Sequence, residues 1–173
     1  MNVRIKDPGS AITHFIGMMM AVFASTPLLI KAARQPDEIH LIALGIFITS
    51  MILLYAASTL YHTLDLSEKA NNRLKKMDHM MIFVLIAGTY TPYALVALPR
   101  NIGWWIFGIN WGCAAIGITL NAIDMKKYKK FSMILYLIMG WLIVFTFGDL
   151  MKAVDIGCIY LSLAAGILYT IGA

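Results

Sequence analysis

The chain has 173 residues, 60% of them hydrophobic and 13% charged, with a formal net charge of +5. An ordinary soluble domain carries about 25% charged residues, so this chain cannot clothe a water-facing surface. Its basic residues sit between apolar runs, where they meet lipid headgroups, which excludes a soluble nucleic-acid-binding module and makes the bilayer the solvent for most side chains.

A helix needs about 20 apolar residues to cross the hydrocarbon core. In chain order the candidate spans are Ala11–Ile30, Ile39–Tyr61, Met80–Leu98, Ile102–Ile123, Phe131–Phe147 and Val154–Ala173. They are separated by KAARQPDE (31–38), HTLDLSEKANNRLKKMD (62–78), PRN (99–101), DMKKYKK (124–130) and GDLMK (148–152). The first run follows Arg4 and Lys6 as a signal peptide would, but it is of full spanning length and lacks an A-x-A cleavage site, so it reads as a retained helix. The expected fold class is an all-α polytopic transmembrane helix bundle, one transmembrane domain over residues 1–173, with a re-entrant span as the alternative topology.

Orientation follows from the basic residues. Arg4 and Lys6, the 62–78 segment and the 124–130 segment together hold ten lysines and arginines, against four (Lys31, Arg34, Arg100 and Lys152) on the other side. The positive-inside rule then places the N-terminus and the even loops in the cytoplasm of a cell with this protein in its plasma membrane. Trp104 and Trp105 fall at the outer interface, as an aromatic belt requires.

Polar side chains in a membrane are costly and therefore mark candidate sites. Ser58 and His62 lie four residues apart, on one helix face at the end of the second span. Asp78 and His79 open the third span at the same membrane level, and His14 lies at that level in the first. His40 stands alone on the other side. Imidazole is a common zinc ligand, a neighbouring carboxylate can orient a metal-bound water, and Ser58 could bond to that water or to a substrate carbonyl. The plainer alternative is that these are helix-end residues meeting water and headgroups. Asp78 and His79 stand about 100° apart on a helix, so both cannot point squarely at one centre.

Other features read as structural. Cys113 and Cys158 lie inside apolar runs with no C-x-x-C and are expected to pack between helices. Gly108 and Gly112 form a G-x-x-x-G that permits close helix approach. Pro92 should kink the third span, with Thr89 or Thr91 on hand for the freed backbone groups. Asn110 and Asn121 are expected to bond between helices.

The segments ITHFIG (12–17), S-x-L-Y-H (58–62), MDHMMIFVLIAGTYTP (77–92), the GWW…W opening of the fourth span and LYLIMGW (135–141) together resemble the haemolysin III branch of the progestin and adipoQ receptor (PAQR) superfamily. The resemblance runs over essentially the whole chain. It implies seven transmembrane helices, a cytoplasmic N-terminus and a zinc ion near the cytoplasmic face, held by a histidine ending the second helix and two more in an H-x-x-x-H on the seventh. The first of these matches His62, and the family's serine and aspartate match Ser58 and Asp78. The family's opening E-x-x-N-x-x-x-H reads here as Asp7, Ser10 and His14, so only the histidine is kept. No apolar run follows Ala173 and no H-x-x-x-H occurs. The expectation is therefore six spans of a seven-helix PAQR-type fold, with an incomplete zinc site.

The resemblance implies a zinc-dependent hydrolase of a lipid amide or ester, with Asp78 handling the proton and Ser58 assisting. The competing expectation is a non-enzymatic protein acting by membrane permeabilisation or on lipid and ion homeostasis. Membrane lipids are the expected partners and nucleic acid is not. The substrate, the oligomeric state and the roles of His14 and His79 stay open at this point.

Overall fold

The computed structural model describes residues 5–172. The described residues form six helices and no strand: α1 (Pro8–Ala33), α2 (Ile39–Thr63), α3 (Glu68–Ala97), α4 (Arg100–Asp124), α5 (Lys129–Ala153) and α6 (Ile156–Gly172). The first five are long and apolar enough to cross a membrane, and α6, with 17 residues, is shorter. The fold is an all-α polytopic bundle. Arg4, counted above among the basic residues, and Ala173, the end of the sixth apolar run, lie outside the described residues.

Helices α1 to α5 exceed their apolar runs because hydropathy reports contact with hydrocarbon, whereas a helix can continue into water. α3 begins at Glu68, well before the apolar run that opens at Met80, so most of the expected break is helical. Ser67 caps it by accepting the Ala70 amide at 3.4 Å, which satisfies one of the helix's orphan N–H groups. Asn71 braces the turn: its amide donates to Asp65 Oδ1 at 3.0 Å and its carbonyl oxygen accepts the Leu66 amide. The GDLMK segment is likewise helical, as the last turns of α5.

Neighbours in sequence pack as neighbours in space, and α3 is the hub, touching α2, α4 and α5. Between apolar lipid tails the association of helices depends on close packing of small residues rather than on burying hydrophobic ones. The buried set accordingly includes Ala11, Ala21, Ala32, Ala43, Ala57, Ala87, Ala94 and Ala114, while Phe23, Trp105 and Phe145 lie on the outside at 72%, 74% and 84% exposure. Cys158 is also exposed and Cys113 half-buried, so only the latter packs between helices as expected.

Glycines mark the closest approaches. A side chain at Gly88 of α3 would overlap Ser50 of α2, one at Gly117 of α4 would overlap the Phe83 ring of α3, and one at Gly103 would strike the Ala94 carbonyl. Gly17 plays the same part for α1 against Tyr55 of α2. Gly108 and Gly112 face open space instead, so the G-x-x-x-G of α4 does not mediate contact within the bundle.

Two breaks in the helical ladder sit side by side. Pro92 has no amide to give the Gly88 carbonyl, and α3 passes into a wider π-type turn over Tyr93–Ala97. Thr89 and Thr91 bond back to the carbonyls of Leu85 and Ala87, and Trp111 Nε1 of α4 donates to the Thr91 hydroxyl at 3.1 Å. α5 tightens into a 3₁₀ turn over Leu142–Thr146. There the Tyr90 hydroxyl donates to the Gly140 carbonyl at 2.6 Å and accepts the Ile143 amide at 3.0 Å, while Tyr93 bonds the Thr146 hydroxyl. Asn121 bonds across to Ser132 of α5 at 2.9 Å, as expected of a helix-bridging asparagine. Asn110 does not: it is fully buried and neither amide atom has a partner among the described residues.

Gly88→Ala is expected to destabilise the bundle by about 1–3 kcal/mol, the usual range for forcing a methyl into a filled core. Ser50→Gly added to it should restore most of the loss, and Gly112→Ala alone should be close to neutral. Thermal unfolding of purified protein in detergent checks all three, and equal melting temperatures for Gly88→Ala and Gly112→Ala would contradict the assigned packing.

Candidate functional site

The end of the bundle where α1 begins and α2 finishes collects the polar residues. The chain enters α1 against the last turn of α2: the Asp7 amide donates to the His62 carbonyl at 2.9 Å and the Lys6 amide to the Thr63 carbonyl at 3.4 Å. Lys6 Nζ rests over the Tyr61 ring, 3.8 Å from its centroid. These contacts bring Asp7 and His14, far from His62 in sequence, to its side.

His62 is the centre. Its Nδ1 lies 3.2 Å from the Asp7 carboxylate, and its ring stacks nearly parallel on that of His14, with centroids 5.7 Å apart. Tyr61 meets the His62 ring edge-on. His14 is part-buried, and its Nδ1 is enclosed without a partner among the described residues. An Nδ1–H donated to Asp7 fixes the His62 tautomer and leaves Nε2 carrying the lone pair, the arrangement by which a carboxylate orients a metal-binding imidazole. Asp7 itself is held below the ordinary carboxylate range, first by hydrogen bonding from Ser10 and then with help from the charge and hydrogen bond of His62.

Ser58 lies one turn back from His62 on α2 and is buried. α2 and α3 run antiparallel, and Ser50 packs on Gly88. Stepping from that contact toward the basic end at equal rise puts Asp78 level with Leu60, between Ser58 and His62. Asp78 is thus at the right height, but the ion pair it makes is with His79, at 3.7 Å between Oδ2 and Nδ1. No hydrogen bond or ion pair among the described residues joins it to Ser58 or His62. His79 turns away from this cluster. Its Nδ1 lies 3.0 Å from the Lys75 carbonyl, and its own carbonyl accepts the Tyr136 hydroxyl of α5 at 2.8 Å. His40, at the opposite end, places Nδ1 near the Asp37 carbonyl.

A zinc site uses three or four protein donors. Among the described residues no group of three or more histidine, cysteine, aspartate or glutamate side chains converges to hold a metal. His62 and His14 offer two stacked imidazoles, and the described residues do not fit a closed zinc site by themselves. The part that reasoning from sequence missed is the Asp7–His62–His14 assembly. Its signal was the E-x-x-N-x-x-x-H pattern, of which Asp7 and His14 hold the first and last positions.

The sequence pattern of the family described as "Haemolysin-III related" matches residues 3–173. The chain is similar to Hemolysin-3 of Bacillus cereus, 37% identical over 168 residues, which are 97% of this chain and 76% of the relative. It is similar also to the Hemolysin-3 homolog of Bacillus subtilis, 36% identical over 167 residues, 96% of this chain and 78% of that one. No solved structure matches the chain.

A carboxylate whose folded pKa is depressed contributes stability at neutral pH and loses it as pH falls through that lowered value. Asp7→Asn should therefore reproduce at neutral pH the loosening that acid brings to the start of α1. Hydrogen exchange of the peptide spanning residues 5–10 should be faster in Asp7→Asn than in the unsubstituted protein. Unchanged exchange would show that the Asp7 carboxylate does not hold the chain to α2.

Proposed function

The chain belongs to the Haemolysin-III related family, and from that membership we propose that its His62 cluster is part of a zinc site serving hydrolysis of a lipid amide or ester. In this reading the protein is a multi-pass component of the plasma membrane with its N-terminus and basic end in the cytoplasm. His62 is the metal donor contributed by α2, Ser58 is a hydrogen-bonding group beside it, and Asp78 is the carboxylate that carries a proton. Membrane lipid supplies the substrate. The resemblance to the PAQR superfamily gives the roles, and the observation that carries them to this chain is the orientation of His62 by Asp7.

Because the described residues do not close a zinc site, the metal needs donors beyond this set, and no chemical step is assigned through it. Asp7 fixes the His62 ring, His14 stacks against its face, and burial shields Ser58 from bulk water. Asp78 stands at the same level, largely buried and paired with His79.

The second reading rests on the relatives' printed name, Hemolysin-3, and assigns the chain to membrane permeabilisation without catalysis. Buried polar side chains such as Ser50, Thr91 and Asn110 are distributed through the interior, and the outward surface is apolar. The two readings differ in what they need from His62.

Elemental analysis of purified protein separates them. The zinc reading expects close to one zinc per protomer when the donor set is complete, lost on His62→Ala, together with release of a fatty acid from a lipid amide or ester by the zinc-loaded protein only. Absence of zinc from the protein, with dye leakage from liposomes that is indifferent to His62→Ala and to chelator, would overturn it in favour of permeabilisation.

A further inference from the structure

The basic end of the bundle carries a second feature, separate from the His62 cluster and on the other flank of α3. A cleft of about 380 Å³ opens between α3, α4 and α5, with Tyr169 of α6 at its side. That volume falls within the range of small-ligand sites. His79, Lys129, Asn121 and Ser132 line its polar part, and apolar side chains, Ile82 and Met133 among them, line the rest.

The polar part is built rather than incidental. Ser132 is 4% exposed and accepts the Asn121 amide at 2.9 Å, while its own hydroxyl proton has no acceptor among the described residues. Asn121, 1% exposed, also donates to the Gly117 carbonyl, which fixes the pair in place. With Nδ1 of His79 turned to the Lys75 carbonyl, its Nε2 is the nitrogen left for a guest. Lys129 takes part in no ion pair among the described residues. The cleft thus offers a cation, a buried hydroxyl donor and an imidazole nitrogen.

The charge around it has one sign in excess. The Lys76 ammonium donates to the Ala122 carbonyl at 2.9 Å, tying the water-exposed start of α3 to the end of α4. That bond sets two basic segments side by side, Arg73, Lys75 and Lys76 on one and Lys126, Lys127, Lys129 and Lys130 on the other. Asp78 and Asp124 are the acids among them, and Asp124 is engaged in capping the Lys127 amide at 3.0 Å.

We propose that this cleft binds the phosphate headgroup of an anionic membrane phospholipid. Lys129 holds the phosphate by charge, Ser132 donates a hydrogen bond to it from the cleft floor, and the acyl chains leave over Ile82 and Met133 toward the hydrocarbon. Basic pockets between transmembrane helices are suited to anionic headgroups, because the lipid's position in the bilayer brings its phosphate to the level of the cations. The occupant is a lipid rather than free phosphate because most of the cleft wall is apolar and a small soluble anion would leave it uncovered. This inference is independent of the function proposed for His62.

Native mass spectrometry of the detergent-purified full chain, titrated with phosphatidylglycerol or phosphatidylcholine, tests it. The expected result is one phosphatidylglycerol retained in preference to phosphatidylcholine, with its affinity about tenfold lower in Lys129→Gln, the loss of one charge-assisted hydrogen bond. Ser132→Ala should weaken retention without altering net charge. Lys126→Gln, matched in charge to Lys129→Gln but outside the lining, should retain lipid as the unsubstituted protein does. Equal loss in Lys126→Gln and Lys129→Gln, equal retention of the two lipids, or stabilisation by inorganic phosphate without retention of phosphatidylglycerol would each overturn the proposal. His62→Ala should leave retention unchanged, so failure here is distinguishable from failure of the zinc reading.

Discussion

The Tyr90 hydroxyl, set between the carbonyl of Gly140 and the amide of Ile143, holds together the part of this bundle where helical hydrogen bonding lapses. In hydrocarbon an unsatisfied backbone group costs several kcal/mol, with no water to take its place. The 3₁₀ turn of α5 is braced by this side chain of α3, which donates to the Gly140 carbonyl ahead of the turn and accepts the Ile143 amide within it. Tyr93 and Thr146 make the neighbouring bond. The kinked half of α3 and the broken half of α5 therefore act as one unit, which fixes α5 against the hub and seats α6 behind it.

Around that unit the bundle is assembled from small residues. Ser50 against Gly88, Phe83 against Gly117 and the Ala94 carbonyl against Gly103 set the register of α2, α3 and α4. Register is what matters for chemistry here. Once Ser50 meets Gly88, Asp78 must stand between the levels of Ser58 and His62, and once Gly17 meets Tyr55, His14 comes level with Ser58, one turn from His62, whose ring it stacks against. The polar groups at the basic end thus share a level because packing near the middle of the bundle places them there. Charge shapes the same end differently: Lys76 bridging to Ala122 gathers basic segments from two helices, which a membrane surface can use.

Much of this was legible in the sequence, and the losses have physical causes. The apolar runs and their basic separators announce a multi-pass helical protein, because hydrocarbon thickness leaves few alternatives. Ser58 and His62 were readable as a pair since both lie on one helix at a spacing of four. The Asp7–His62 contact was not, because it joins residues far apart in sequence through a meeting of helix ends. The start of α3 read as a break because its charges exclude it from hydrocarbon, although its lysines, glutamate, alanine and leucine favour helix and Ser67 caps it. The G-x-x-x-G of α4 was legible as a pattern, but its direction was not: Gly103 and Gly117 flank it and face α3, while Gly108 and Gly112 face away. Asn110 shows the limit of type-based reading, since a buried amide was expected to find a partner and has none among the described residues.

Five helices of spanning length, α1 to α5, alternate in direction and so gather the start of α1, the end of α2, the start of α3, the end of α4 and the start of α5 at one membrane face. Single-cysteine accessibility tests it directly, in a background with Cys113 and Cys158 replaced by alanine. Cysteines introduced at Lys6, Lys69 and Lys127 should react with a membrane-impermeant maleimide from one face only, and those at Arg34, Asn101 and Lys152 from the opposite face only. A site from the first group labelled from the same side as the second would rule out this alternation.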